Sequence, residues 1–124
     1  MEKVYDIMKK HIVAVSEDTS MSAAIKLMET SRVPLLPVLR KGRIVGILTK
    51  ECIKRQQANE QLKVSDCMKT DGIYFVEASD SVDDAARAMM QSNLPRLAVV
   101  NNKVDMECIG IVTATDVLKS KNKT

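Results

Sequence analysis

The segment Gly110-Ile111-Val112-Thr113-Ala114-Thr115-Asp116 is where residue types and spacing could hold a ligand. It reads as a strand running into a helix. Gly110 has no Cβ and lets another group approach the backbone, Ile111 and Val112 are buried strand residues, and Thr113 stands at the helix N-cap. Asp116 then falls at N3. The free N–H groups and positive dipole end of such a helix attract a phosphate, while the Asp116 carboxylate can accept two hydrogen bonds from a vicinal diol, as a ribose offers. The same Thr-x-x-Asp spacing is also a capping box, in which Thr113 and Asp116 satisfy orphan backbone donors and bind nothing. On this segment alone the cap is the simpler reading.

Little else in the chain points to chemistry. There is no G-x-x-x-x-G-K-[ST], no G-x-S-x-G and no H-E-x-x-H, so an enzyme reading lacks residues to perform a reaction. His11, the one histidine, has no partner nearby in sequence and reads as a surface residue before the first strand. Cys52, Cys67 and Cys108 are widely spaced without a C-x-x-C, which suits free thiols in a reducing compartment and argues against a metal site. The net charge of +3 is spread along the chain and aromatic content is 2%, so the stripe of cations and stacking rings that nucleic-acid binding needs is missing. Without a signal peptide or an apolar run of about 20 residues, the expectation is a soluble cytoplasmic protein with no membrane contact.

The elements that must position Asp116 come from a duplication. Val4, Asp6, Met8 and Lys9 recur sixty residues later as Val64, Asp66, Met68 and Lys69. Val15, Ser20, Ala24, Met28, Ser31, Pro34, Leu36 and Val38 recur, shifted by sixty-one, as Val76, Ser81, Ala85, Met89, Ser92, Pro95, Leu97 and Val99. Gly46, Ile47 and Thr49 return after sixty-four as Gly110, Ile111 and Thr113, which places an insertion in a turn near Asn101 to Met106. Within each copy, Ile12 to Val15 predicts a strand, and Met21, Ala24, Ile25 and Met28 fall at i, i+3, i+4 and i+7, an amphipathic helix. Leu35 to Leu39 and Arg43 to Leu48 predict two strands joined at Lys41 and Gly42, and Thr49 to about Gln57 a second helix. The expected architecture is α/β (α+β): two pseudo-symmetric strand-helix-strand-strand-helix units, 1–57 and 58–124. A sixty-residue unit buries little surface alone, so the two are expected to pack as one pair.

Taken with the repeat, the opening Val-x-Asp-x-Met, the Val33-Pro34 and Leu94-Pro95 steps before a strand and the Gly-apolar-apolar-Thr-x-x-Asp ending resemble the cystathionine-β-synthase (CBS) domain. The resemblance spans essentially the whole chain as a tandem pair. It implies a regulatory module that binds an adenosine-containing ligand, AMP, ADP, ATP or S-adenosylmethionine, in a cleft between units, and that forms a homodimeric disc. Position by position, it implies that Asp116 holds the ribose, that Thr113 lies near the phosphate, that Thr115 belongs to the ligand-binding set, and that Arg32 reaches in from the pre-proline loop of the other unit. Ile73 and Tyr74, entering the first strand of the second copy, would lie against the adenine. The first copy reads Thr49-Lys50-Glu51-Cys52, and a thiol cannot grip a diol as a carboxylate does, so one good site per chain is expected. Because the pair uses nearly the whole chain, its output is expected to go to a separate regulated protein. The competing reading is a structural dimerisation module with no nucleotide ligand.

Overall fold

The structure, a computed structural model, describes residues 2–56, 61–71 and 75–122. In chain order the elements are α1 (Val4–Ile7), β1 (Val15–Ser16), α2 (Met21–Ser31), β2 (Leu35–Arg40), β3 (Arg43–Thr49) and α3 (Lys50–Gln56). The series then repeats as α4 (Val64–Cys67), β4 (Phe75–Glu77), α5 (Val82–Ser92), β5 (Arg96–Val100), β6 (Cys108–Thr113) and α6 (Ala114–Lys121). This is the α/β alternation expected, with two corrections. The first strand is only Val15–Ser16, because just those residues pair with Val38 and Leu39 of β2; Ile12 to Ala14 do not join the ladder. Each copy also opens with a four-residue helix, α1 or α4, too short to leave a periodic signature.

Caps fix the helix starts. The Ser20 hydroxyl accepts from the Ala23 N–H at 3.2 Å and the Ser81 hydroxyl from the Asp84 N–H at 3.1 Å. Both long helices stop at an αL residue, Arg32 (φ 54°) and Asn93 (φ 57°), and so turn sharply into the strand that follows. Each sheet has three strands, β1-β2-β3 and β4-β5-β6, with a parallel first pair and an antiparallel second pair. Lys41 and Gly42, both at positive φ, close the β2–β3 hairpin as a two-residue turn. The corresponding loop of the second copy carries the insertion, organised by the Asn102 side-chain oxygen, which accepts from the Val104 and Asp105 N–H groups at 2.9 and 2.7 Å.

The compact units do not follow the order of the repeats. One comprises Val13–Ile73, and the other Met1–Ile12 with Tyr74–Thr124. In the latter, Val4 is fully buried in a core with Val76, Leu97, Val99 and Val112. Its N–H donates to the Asp80 carbonyl at 2.8 Å, and Lys9 and Ile111 exchange backbone hydrogen bonds of 2.8 and 2.9 Å. In the Val13–Ile73 unit, Val64 is equally buried beside Leu36, Val38 and Leu48, and Lys69 pairs with Ile47. The Val-x-Asp-x-Met signature thereby acquires a physical meaning. Val4 and Val64 are core, and Asp6 and Asp66 each accept from the N-cap amide at 2.9 Å. Met8 and Met68 lie over Gly110 and Gly46, where a Cβ would meet the methionine sulfur at 2.7 Å.

Candidate functional site

The Asp116 site is built where β6 ends and α6 begins. Thr113 is the N-cap; its hydroxyl accepts from the Asp116 N–H at 3.2 Å, and Asp116 Oδ2 accepts from the Thr113 N–H at 2.9 Å. The capping box is therefore complete. Asp6, Asp66 and Asp84 stand at N3 of α1, α4 and α5 in the same way, so an N3 aspartate is a recurrent structural device in this chain. Asp116 differs in its surroundings. Its side chain is 10% exposed and Oδ1 faces the Lys9 ammonium at 3.8 Å, beyond hydrogen-bond range, which leaves that oxygen's lone pairs available to a donor. Arg96 heads β5 directly opposite Thr113 in the ladder. Burial draws the Arg96 guanidinium down from its ordinary pKa and the charge of Asp116 opposes that shift.

The helix N-terminus offers less to an anion than the sequence pattern suggested. The Ala114 N–H donates to the Pro95 carbonyl at 2.8 Å and the Asp116 N–H is taken by Thr113. Of the three first-turn amides, the Thr115 N–H is left without a partner among the described residues. Positive charge at this site comes chiefly from Lys9 and Arg96, neither of which sequence reasoning selected. Lys9 carried a signal, its recurrence as Lys69, but its partner Ile111 is remote in sequence. Gly110 is explained as well: the group that approaches its backbone is the Met8–Lys9 segment, with the Lys9 carbonyl 2.9 Å from where a Cβ would stand.

Thr113, Thr115 and Asp116 thus share the first turn of α6, with Thr115 exposed. Arg32 belongs to the Val13–Ile73 unit, where it ends α2 and its side chain lines a cavity between α2 and α3. Ile73 and Tyr74, the expected adenine neighbours, lie outside the described residues. In the first copy the Cys52 N–H donates to the Thr49 hydroxyl at 3.2 Å, and that hydroxyl lies 3.2 Å from the Cys52 sulfur, so the cap survives without a carboxylate. His11 is exposed. Among the described residues no cluster of His, Cys, Asp and Glu could hold a metal, and no helix is long and apolar enough to cross a membrane.

The family model of the CBS domain matches this chain twice, over residues 4–59 and 64–123. The chain belongs to the CBS-domain family. As a CBS pair it is 30% identical over 116 residues to the CBS domain-containing protein YhcV of Bacillus subtilis, covering 89% of this chain and 82% of YhcV. It is also 30% identical over 122 residues to the inosine-5'-monophosphate dehydrogenase of Methanocaldococcus jannaschii, covering 98% of this chain but 24% of that enzyme. The chain spans between 24% and 44% of the length of three such archaeal relatives. Among solved structures, CBSX2 in complex with AMP superposes with a TM-score of 0.82 at 25% identity, covering 98% of this chain and 96% of CBSX2.

Proposed function

We propose that this CBS pair is a regulatory module that binds an adenosine-containing ligand at Asp116 and, as a homodimer, passes the change in occupancy to a regulated partner. The observation that carries the reading is the Asp116 carboxylate, held by its own cap with Oδ1 uncommitted and with Lys9 and Arg96 beside it. A carboxylate oxygen suits the ribose diol and the cations suit phosphate oxygens, so a nucleotide such as AMP fits better than S-adenosylmethionine, whose sulfonium is cationic. The AMP complex of CBSX2 supports the same ligand class. Thr113 and Thr115 would contribute at the phosphate, Arg32 from the other copy, and Ile73 and Tyr74 at the base. Regulation follows if the ligand binds one conformation or assembly more tightly than another. In this reading the module acts through binding rather than through a reaction of its own.

The second reading, a structural dimerisation module with an empty cleft, is favoured by the complete capping box, which accounts for Thr113 and Asp116 without a ligand. Titration calorimetry with AMP, ATP and S-adenosylmethionine separates the two. Asp116→Ala is expected to weaken AMP binding by about 1.5–3 kcal/mol, the range for hydrogen bonds to a charged group, and Cys52→Ala to leave it unchanged. The melting temperature of Asp116→Ala is the control, because loss of the cap itself costs about 1 kcal/mol of stability. Equal binding of the compounds by wild type and Asp116→Ala would overturn the assignment of the site to Asp116, and binding of none of them by wild type would favour the structural reading instead.

A further inference from the structure

Two of the three cysteines belong to one unit and one core. Cys52 lies in the first turn of α3 and Cys67 ends α4, both within Val13–Ile73, and the two helices are in contact. Cys67 is buried with Leu36, Val38, Leu48 and Val64, and the half-buried Cys52 packs against that same core. The repeat shows what packing alone asks for there. In the second copy's unit the corresponding positions hold Asp116 on α6 and Ile7 on α1, helices that touch in the same way. That contact is made without a thiol, so the pair of thiols is a property of the Val13–Ile73 unit and not of the fold. The two cysteines also sense each other electrostatically. Burial pushes the Cys67 thiol up, and the charges of Asp66 and Cys52 push it further. Cys108 stands apart, on β6 of the other unit.

We infer that Cys52 and Cys67 form a reversible disulfide within one chain, with Cys52 as the sulfur that meets the oxidant and Cys67 as the one that resolves it. The oxidant is a small-molecule disulfide. The Cys52 thiolate attacks one of its sulfurs, the external S–S bond breaks, and one small thiolate leaves. The Cys67 thiolate then attacks the Cys52 sulfur, forming the internal bond and expelling the second small thiolate. The protons given up by the two cysteines end on the two released thiols, so two protein sulfurs are oxidised as one external disulfide is reduced. Access sets the order: Cys52 is open enough to admit a reagent, whereas Cys67 is enclosed and direct attack there is slow. The Thr49 hydroxyl, 3.2 Å from the Cys52 sulfur, donates to it and favours its charged form. The bond ties the helix that ends the first copy to the helix that opens the second, at the position where the second copy carries Asp116. It is independent of the ligand reading.

Peptide mapping tests it on the whole, reduced chain. After overnight incubation with oxidised glutathione and alkylation of the remaining thiols in denaturant, trypsin should release peptide 51–54 joined to peptide 64–69, with Cys108 alkylated. The joined species should be lighter than the two peptides together by two hydrogen atoms, and dithiothreitol should return both to free thiols. Cys67→Ala should stop at a glutathione adduct on Cys52. In Cys52→Ser, Cys67 should be consumed about ten-fold more slowly than in wild type, because it then waits for the reagent instead of reacting with a neighbouring sulfur. Oxidising a mixture of isotope-labelled and unlabelled chains should give no joined peptide of mixed label. The wild-type map stands whether or not the Cys67→Ala variant folds. A glutathione adduct that persists on wild-type Cys52 beside a free Cys67, a mixed-label product, or equal loss of Cys67 in Cys52→Ser and wild type overturns the inference.

Discussion

Substituting Gly110 by Ala puts one methyl group into the contact that joins the chain's opening segment to β6. The added Cβ would stand 2.7 Å from the Met8 sulfur, 2.9 Å from the Lys9 carbonyl oxygen and 3.2 Å from Met8 Cγ. The methionine side chain can swing by the roughly 0.7 Å it must yield, because it is unbranched and adaptable. The carbonyl cannot. Lys9 is tied to Ile111 by hydrogen bonds of 2.8 and 2.9 Å, so relieving the clash stretches or breaks that bridge. Overpacking of one methylene costs about 1–3 kcal/mol, and two backbone hydrogen bonds contribute about 1 kcal/mol each. Gly110→Ala should therefore destabilise the protein by about 2–4 kcal/mol, read from urea denaturation at constant m-value. Met8→Ala in the same chain removes the two side-chain contacts but not the carbonyl, so the double variant should recover part of the loss beyond additivity. The substitution also moves Lys9 away from Asp116, and AMP affinity should fall with stability. A loss below about 0.5 kcal/mol, the level of an ordinary surface change, would refute the role given to Gly110.

Deleting residues 1–9 should raise hydrogen exchange in β4, β5 and β6 more than in β1, β2 and β3, since Val4 and Lys9 pack in the second copy's unit; a larger effect on the first copy's strands would contradict the unit assignment. Stability should fall as the medium is acidified below about pH 4. Glu17 is held below the usual carboxylate range by its hydrogen bond to Arg40, Asp83 by Lys121 and Asp84 by the Ser81 backbone. Because these folded-state pKa values are depressed, the unfolded chain binds more protons in that window, and the stabilisation present above it is lost as pH drops through them. Arg40→Ala should shift the acid limb of the denaturation profile to higher pH. Burial pushes the Cys67 and Cys108 thiols up, so both should react slowly with a disulfide reagent at pH 8 in the native state and at the rate of a free thiol in denaturant.

The parts of the fold legible in the sequence are those whose cause is local. The stripes of α2 and α5 and the Lys41-Gly42 turn each depend on residues within one or two turns of each other, and the structure places them as read. The site was legible to the same extent: Thr113 at the N-cap and Asp116 at N3 follow from a four-residue spacing. The short helices α1 and α4 were not legible, because four residues cannot display a period of 3.6. Nor was the shortened first strand, whose limits are set by which residues find a partner on β2.

By itself the sequence determined the duplication, the α/β order of each copy, the family and the asymmetry between Asp116 and Cys52, all properties of residue type and of spacing along one stretch of chain. Only the tertiary structure decided that Val4 to Lys9 complete the unit of the second copy, that Gly110 is small for the sake of Met8 and Lys9, and that Pro95 and Thr113 occupy amides the pattern had left for a phosphate. The physical reason is common to all three. A buried valine, a backbone carbonyl and an amide must each find a partner, but the repeat supplies two near-identical candidates, and which one is used depends on the path of the chain in space rather than on the residues beside it.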